Sequence, residues 1–257
     1  MSQSSAAWVT PPQFKLANLS PAIYRAFLSK AKQAGYAFVR FGESDRVPSQ
    51  PYILLRHDID LSPRYAAEMA KLERDAGIAS TYFVLIDGQF YNILRPDNIR
   101  HLRTIHDLGF EIGLHFSVTQ STKASVEDEI EYQVRTLESI IEAPVRSISQ
   151  HDPVNTGAYR PVSSRYVDAY AAFDRLGLLY VSDSGKMWRQ YTFDTALDTG
   201  RNLCLLAHPI SWICEKYDLL SVIHDIKEEE VTALTNRFST FAHNHITYYQ
   251  KRMAEEE

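Results

Sequence analysis

Ser62-Pro-Arg-Tyr-Ala-Ala-Glu-Met-Ala-Lys-Leu-Glu-Arg-Asp-Ala-Gly77-Ile-Ala-Ser-Thr-Tyr-Phe-Val-Leu85 is the stretch whose reading decides the fold. Ser62-Pro63 writes a helix start, Ala66, Met69 and Ala70 fall on one face, Gly77 closes the helix, and a β-rich apolar run follows. The same sentence is written three more times. Ile23, Tyr24, Phe27, Leu28 and Ala31 lead through Gly35 to Tyr-Ala-Phe-Val-Arg-Phe. Ile99, Leu102, Ile105 and Leu108 lead to Gly109, and Tyr166, Val167, Tyr170 and Phe173 lead through Gly177 to Leu-Leu-Tyr-Val-Ser-Asp. With Tyr52–Leu55, Val145–Ser149 and Leu203–Ala207 added, about seven strands are expected. Several are too apolar to expose either face, so helices should cover a parallel sheet. The reading is an α/β fold, a distorted (β/α) barrel of about seven parallel strands.

One domain is expected over residues 1–257, with a helix-strand extension over about 1–48 and a closing helix over about 226–254. In that last helix Val231, Leu234, Phe238 and Phe241 share a face, which suggests packing against the barrel. Residues 186–202 read as an irregular loop.

Composition narrows the function. The chain has 45% hydrophobic and 23% charged residues, enough to bury a sizeable core. Its 27 basic and 32 acidic residues give a net charge of −5, with no Lys/Arg-rich run to neutralise a series of phosphates, so no nucleic-acid partner is expected. No stretch approaches the roughly 20 apolar residues of a transmembrane segment. Met-Ser-Gln-Ser-Ser-Ala-Ala-Trp lacks the charged and apolar regions of a signal peptide, so a cytoplasmic location is expected. The two cysteines, Cys204 and Cys214, suggest neither a disulfide nor thiol chemistry.

In α/β barrels the reactive groups sit at the C-terminal ends of the strands. Successive strand ends here carry Asp58 and Asp60, His115, His151, Ser182 with Asp183, and His208. Asp58 and Asp60 lie two apart, so in an extended chain both carboxylates point to one face, with Cα atoms about 6.6 Å apart. One can bind a metal while the other stays ionised and free to take a proton from water. The pair also fits a loop role, with Asp60 capping the helix at Ser62-Pro63. Three histidines at three other strand ends favour a metal site, because neutral imidazole is the commonest ligand for zinc and similar ions. His57 should point away from its neighbour Asp58 and is read as structural. His101, His106, His224, His243 and His245 are given no chemistry. Tyr91-Asn92, Trp188-Arg189 and Trp212 are expected on loops at the barrel mouth, where with Asp183 they would contact substrate.

At Leu-Arg-His-Asp-Ile-Asp-Leu-Ser-Pro, residues 55–63, the chain resembles the polysaccharide deacetylase family, the NodB-homology group of metal-dependent sugar deacetylases. The resemblance runs over about residues 50–215. It implies that Asp58 is the catalytic base and Asp60 a metal ligand. Phe110–Ser117, with Gly113 before His115, is similar to the second motif, whose histidine binds the metal. Leu205–Trp212, with His208 before Pro209, is similar to the last motif, whose histidine is the general acid. The family usually carries a second metal-binding histidine four residues after the first, where this chain has Thr119. His151, where the family often has Arg-Pro, is assigned to complete the coordination. The implied cofactor is a divalent metal, zinc first, with Co²⁺, Mn²⁺ or Fe²⁺ as alternatives. The implied activity is removal of an acyl group from an amino sugar in glycan biosynthesis. Two other readings are a metal-independent C–N hydrolase or acyl-transfer enzyme, suggested by Thr119, and a non-catalytic glycan-binding relative.

Overall fold

The computed structural model describes residues 15–16, 19–118, 123–158, 165–214 and 219–255; Thr119 lies outside them. In chain order the elements are β1 (Lys15–Leu16), α1 (Pro21–Gln33), β2 (Ala37–Val39), β3 (Tyr52–Ile59), α2 (Pro63–Ala76), β4 (Thr81–Leu85), α3 (Pro96–Asp107), β5 (Glu111–Phe116), α4 (Val126–Ile141), β6 (Ser147–Gln150), α5 (Pro153–Thr156), β7 (Val167–Asp168), α6 (Ala169–Leu176), β8 (Leu179–Ser182), β9 (Met187–Trp188), α7 (Phe193–Leu197), β10 (Leu203–Leu206), α8 (Pro209–Ile213) and α9 (Leu219–Glu255).

Seven strands run in the order β7-β6-β5-β4-β3-β10-β8, every pair parallel, and the sheet curls into an open, distorted (β/α) barrel with β7 and β8 at its edges. β2 adds in parallel to the first half of β3, on the register Ala37 to Tyr52. The helix starts and stops follow the expected chemistry. Ser20 accepts from the Ile23 amide to cap α1, and Gly77 ends α2 in the left-handed region at φ 66°.

Two differences stand out. α4 is a full helix with Ile130, Val134, Leu137 and Ile141 buried, although the acidic run Glu127-Asp128-Glu129 at its start hides its periodicity. Within 186–202, expected to be irregular, β9 pairs antiparallel with β1 and the Thr192/Thr195 capping box starts α7.

Compact packing divides the chain into two units, Met1–Glu215 and Lys216–Glu257. The second contains α9, 37 residues long, on which Val231, Leu234, Phe238 and Phe241 are exposed.

Strand pleating positions the site. On β3, Ile53 and Leu55 join the apolar layer with α1 and α2, whereas Tyr52 and Leu54 join Phe83 and Cys204 in a separate interior cluster. Period-two alternation then carries Arg56, Asp58 and Asp60 along the interior face and turns His57 outward. The outward His57 is fully buried. It bonds the Ala207 carbonyl through Nδ1 at 3.0 Å and the Glu73 carboxylate of α2 through Nε2 at 2.8 Å, a structural role as expected. On β5 the interior positions are Gly113 and His115. A methyl group at Gly113 would meet the Phe83 ring at 2.6 Å and the Ser147 carbonyl at 2.8 Å. Gly113→Ala is therefore expected to lower stability by about 1–3 kcal/mol through overpacking, measured by urea unfolding; an unchanged midpoint would contradict so tight a contact.

Candidate functional site

β3 delivers both carboxylates to the open end of the barrel, where Asp58 is buried and Asp60 is 28% exposed. Asp60 does not cap α2; the N-cap position belongs to Ser62. His115, at the end of β5, points its Nε2 between the two, 3.5 Å from Asp58 Oδ2 and 3.5 Å from Asp60 Oδ1. The His115 Nδ1 lies 2.8 Å from the Ser149 carbonyl. A carbonyl only accepts, so Nδ1 carries the proton and Nε2 keeps its lone pair toward Asp60. Burial pushes the His115 pKa below its ordinary value, against the pull of Asp58 and Asp60, which favours the neutral ring that a ligand requires. His151, just beyond β6, sets its ring at 89° to His115 with centroids 5.1 Å apart. One ligand atom each from Asp60, His115 and His151 lies within 4.8 Å of the others.

This donor set fits a divalent cation. Asp60 Oδ1 is buried and accepts no hydrogen bond from any described residue, an orphan that a cation would satisfy. One carboxylate and two imidazoles facing one point suit Zn²⁺ and its first-row neighbours.

The fourth and fifth groups are held differently. Arg56, two residues before Asp58 on the same strand face, grips the Asp58 carboxylate with Nε at 3.1 Å and Nη2 at 2.6 Å. The guanidinium itself is buried, with the Phe83 and Tyr170 rings 5.2 and 5.1 Å from its centre. Burial opposes charge on Asp58, but Arg56 and then His115 outweigh it and hold the carboxyl well below the usual carboxylate range. Asp58 is therefore ionised, already partnered and a weak base.

His208, after β10, places Nε2 3.6 Å from Asp60 Oδ2 and bonds Asp183 Oδ1 through Nδ1 at 2.6 Å. Burial pulls the imidazole pKa down, but Asp183, with Asp60 and Asp58 beyond it, lifts it to about 9. The ring is thus a cation at neutral pH, with one N–H directed toward the site.

The expected substrate contacts divide. Arg189 is exposed and lines the cavity of about 420 Å³ that Asp58, Asp60, His115, His151 and His208 share. Asp183 is fully buried and serves His208 instead: it also accepts the His208 amide at 3.0 Å and Trp212 Nε1 at 2.7 Å. Trp212 is not on a mouth loop; it sits in α8, buried, stacked on Phe193. Trp188 is in β9 and packs on the same two rings. The Tyr91 hydroxyl donates to the Ile59 carbonyl at 2.8 Å and accepts the Leu85 amide, tying β3 to β4. Asn92 is exposed and spends its Oδ1 on the Leu94 amide. In their place Tyr170, Tyr180 and Ser182 line the cavity. The alternation of Tyr180 and Ser182 on β8, and Arg56 at two residues from Asp58, were the available signals.

In the metal-free protein, the Asp183–His208 pair contributes stability that is full below about pH 6.5 and is lost as pH rises through about 9, because the folded pKa is the higher one. Urea unfolding of wild type and Asp183→Asn is expected to show a gap that narrows over that window; a pH-independent gap would contradict the pairing.

No protein-family model matches the chain, and no curated protein matches it significantly. Among solved structures, a CE4 family pseudoenzyme from Bacillus anthracis shares 17% identity over 71% of this chain and 63% of its own, with a TM-score of 0.41. A deacetylase from Streptococcus pyogenes shares 14% over 74% and 82%, with a TM-score of 0.44. A family 4 acetyl xylan esterase from Clostridium thermocellum, solved with a cobalt ion, shares 13% over 72% and 84%, with a TM-score of 0.42. The chain thus spans less than two thirds of the length of the pseudoenzyme it matches. At these scores the likenesses carry no argument about chemistry, which rests on the residues of this chain.

Proposed function

We propose that the chain is a divergent polysaccharide deacetylase-type hydrolase that removes an acyl group from an amino sugar, with Asp60, His115 and His151 holding a divalent cation. The observation that carries this reading is the meeting of those three ligand atoms beside an arginine-held carboxylate and an aspartate-held histidine in one cavity. When bound, the cation supplies Lewis acidity toward the acyl carbonyl and toward water.

The chain's own groups divide the proton work. Asp58, ionised at neutral pH, takes a proton from the attacking water. Its grip by Arg56 makes it a base suited only to water of raised acidity, which is the water such a site provides. Arg56 also fixes the carboxylate in one rotamer, so no reorganisation is needed as the proton moves. His208 carries the opposite charge and gives its Nε2 proton to the departing amine, while Asp183 keeps the ring oriented and charged. Without that proton the amine is a poor leaving group. Ser182 and Arg189 at the cavity wall supply donors for sugar hydroxyls, and Tyr170 and Tyr180 offer apolar faces to the ring.

With an N-acetylated amino sugar as substrate, Asp58→Asn and His208→Gln are each expected to lower kcat by about 10²–10⁴-fold. Chelation should abolish activity, and Zn²⁺, Co²⁺ or Mn²⁺ should restore it. Full activity after chelation would transfer the case to metal-independent C–N bond hydrolysis. Ligand affinity without turnover, unchanged in Asp58→Asn, would instead mark a glycan-binding protein.

A further inference from the structure

The helix α9 contains an apolar seam that neither the barrel chemistry nor the proposed reaction uses. Val231, Leu234, Phe238, Phe241, His245 and Tyr248 recur at alternating steps of three and four, the 3.5-residue period that keeps one stripe facing a second helix along a supercoil. Lys227 and Arg252 occupy the next positions at either end and close the stripe. Phe238 and Phe241, at its middle, are 67% and 63% exposed, and Tyr248 is 55% exposed. Within the stripe the Phe241 and His245 rings lie 4.6 Å apart, forming a continuous surface.

We propose that α9 pairs antiparallel with α9 of a second copy of this chain, centred on Phe238 and Phe241. In that register Phe238 meets Phe241 of the partner helix, Val231 meets Tyr248, and Leu234 meets His245. The flanking positions then bring Glu230 against Lys251 at both ends, two opposite-charge pairs from one symmetry operation. A parallel pairing would set His245 on its own copy and leave Glu230 facing Thr235. An aromatic side chain buries roughly 150–250 Å² when wholly covered, so the exposed part of the six aromatics of the two seams comes to roughly 550–900 Å², and Val231 and Leu234, each about half exposed, bring the total to about 1,000 Å², the lower bound for a specific interface. A 3.5-residue seam selects another helix of the same period, and a symmetric pair supplies one without any other protein.

Sedimentation equilibrium of the full chain tests this. The wild type is expected at twice the chain mass of 29.4 kDa. Phe238→Glu combined with Phe241→Glu should give the single-chain mass with an unchanged thermal transition of the barrel. Glu230→Lys should weaken the dimer, and Glu230→Lys with Lys251→Glu should restore it. A wild type that sediments as a single chain at every concentration would overturn the proposal, as would a dimer that survives the double phenylalanine variant. Failure of the charge swap to restore association would overturn the antiparallel arrangement.

Discussion

The pleat of β3 is the constraint on which the mouth of the barrel depends. Because side chains alternate along a strand, Arg56, Asp58 and Asp60 must share the interior face, and His57 must leave it. A buried carboxylate needs a partner. Asp58 has its partner two residues away on its own strand, so the pair forms without help from any loop. Asp60, one step further toward the open end, has no such partner within the described residues for its Oδ1. The same alternation therefore makes one carboxylate a held, ionised group and leaves the next one available as a ligand.

The neighbouring strands repeat this logic. Parallel register sets Leu85 of β4 beside His115 of β5, and His115 beside Ser149 of β6, so the Ser149 carbonyl is in place to fix the His115 tautomer. β10 enters beside β3 with Leu206 opposite Arg56, which brings His208 over Asp60 from the other side. Hydrogen bonds between backbones thus set the distances among side chains that are far apart in sequence. The outer layer stiffens the arrangement. His57 ties β3 to the Ala207 carbonyl and, through Glu73, to α2, which also receives Tyr24, Ser80 and Tyr82.

Much of this was legible from residues alone. Glycine after an amphipathic run marks the turn from helix to strand because the left-handed conformation at Gly77 and Gly177 disfavours a side chain, and that punctuation is local. Strand-end histidines and the Asp58/Asp60 spacing were legible for the same reason: a period of two needs no knowledge of tertiary contacts. The rim was not. Trp212 lies four residues after His208, and the turn of α8 swings its indole onto Asp183, a contact set by how two strands pack. Tyr91 likewise reads as an exposed loop aromatic until β3 and β4 supply the carbonyl and amide that hold its hydroxyl. Helix α9 shows the converse, since its apolar periodicity is visible in the sequence while the exposure of that face is not.

The proposed chemistry turns on whether Asp60, His115 and His151 would together hold one cation. Anomalous scattering from crystals grown with Zn²⁺, collected on both sides of the zinc absorption edge, addresses it directly. The account predicts a single strong peak within coordinating distance of Asp60 Oδ1, the His115 Nε2 and a ring nitrogen of His151. A barrel mouth without a peak, or a peak bound by other residues, would contradict it.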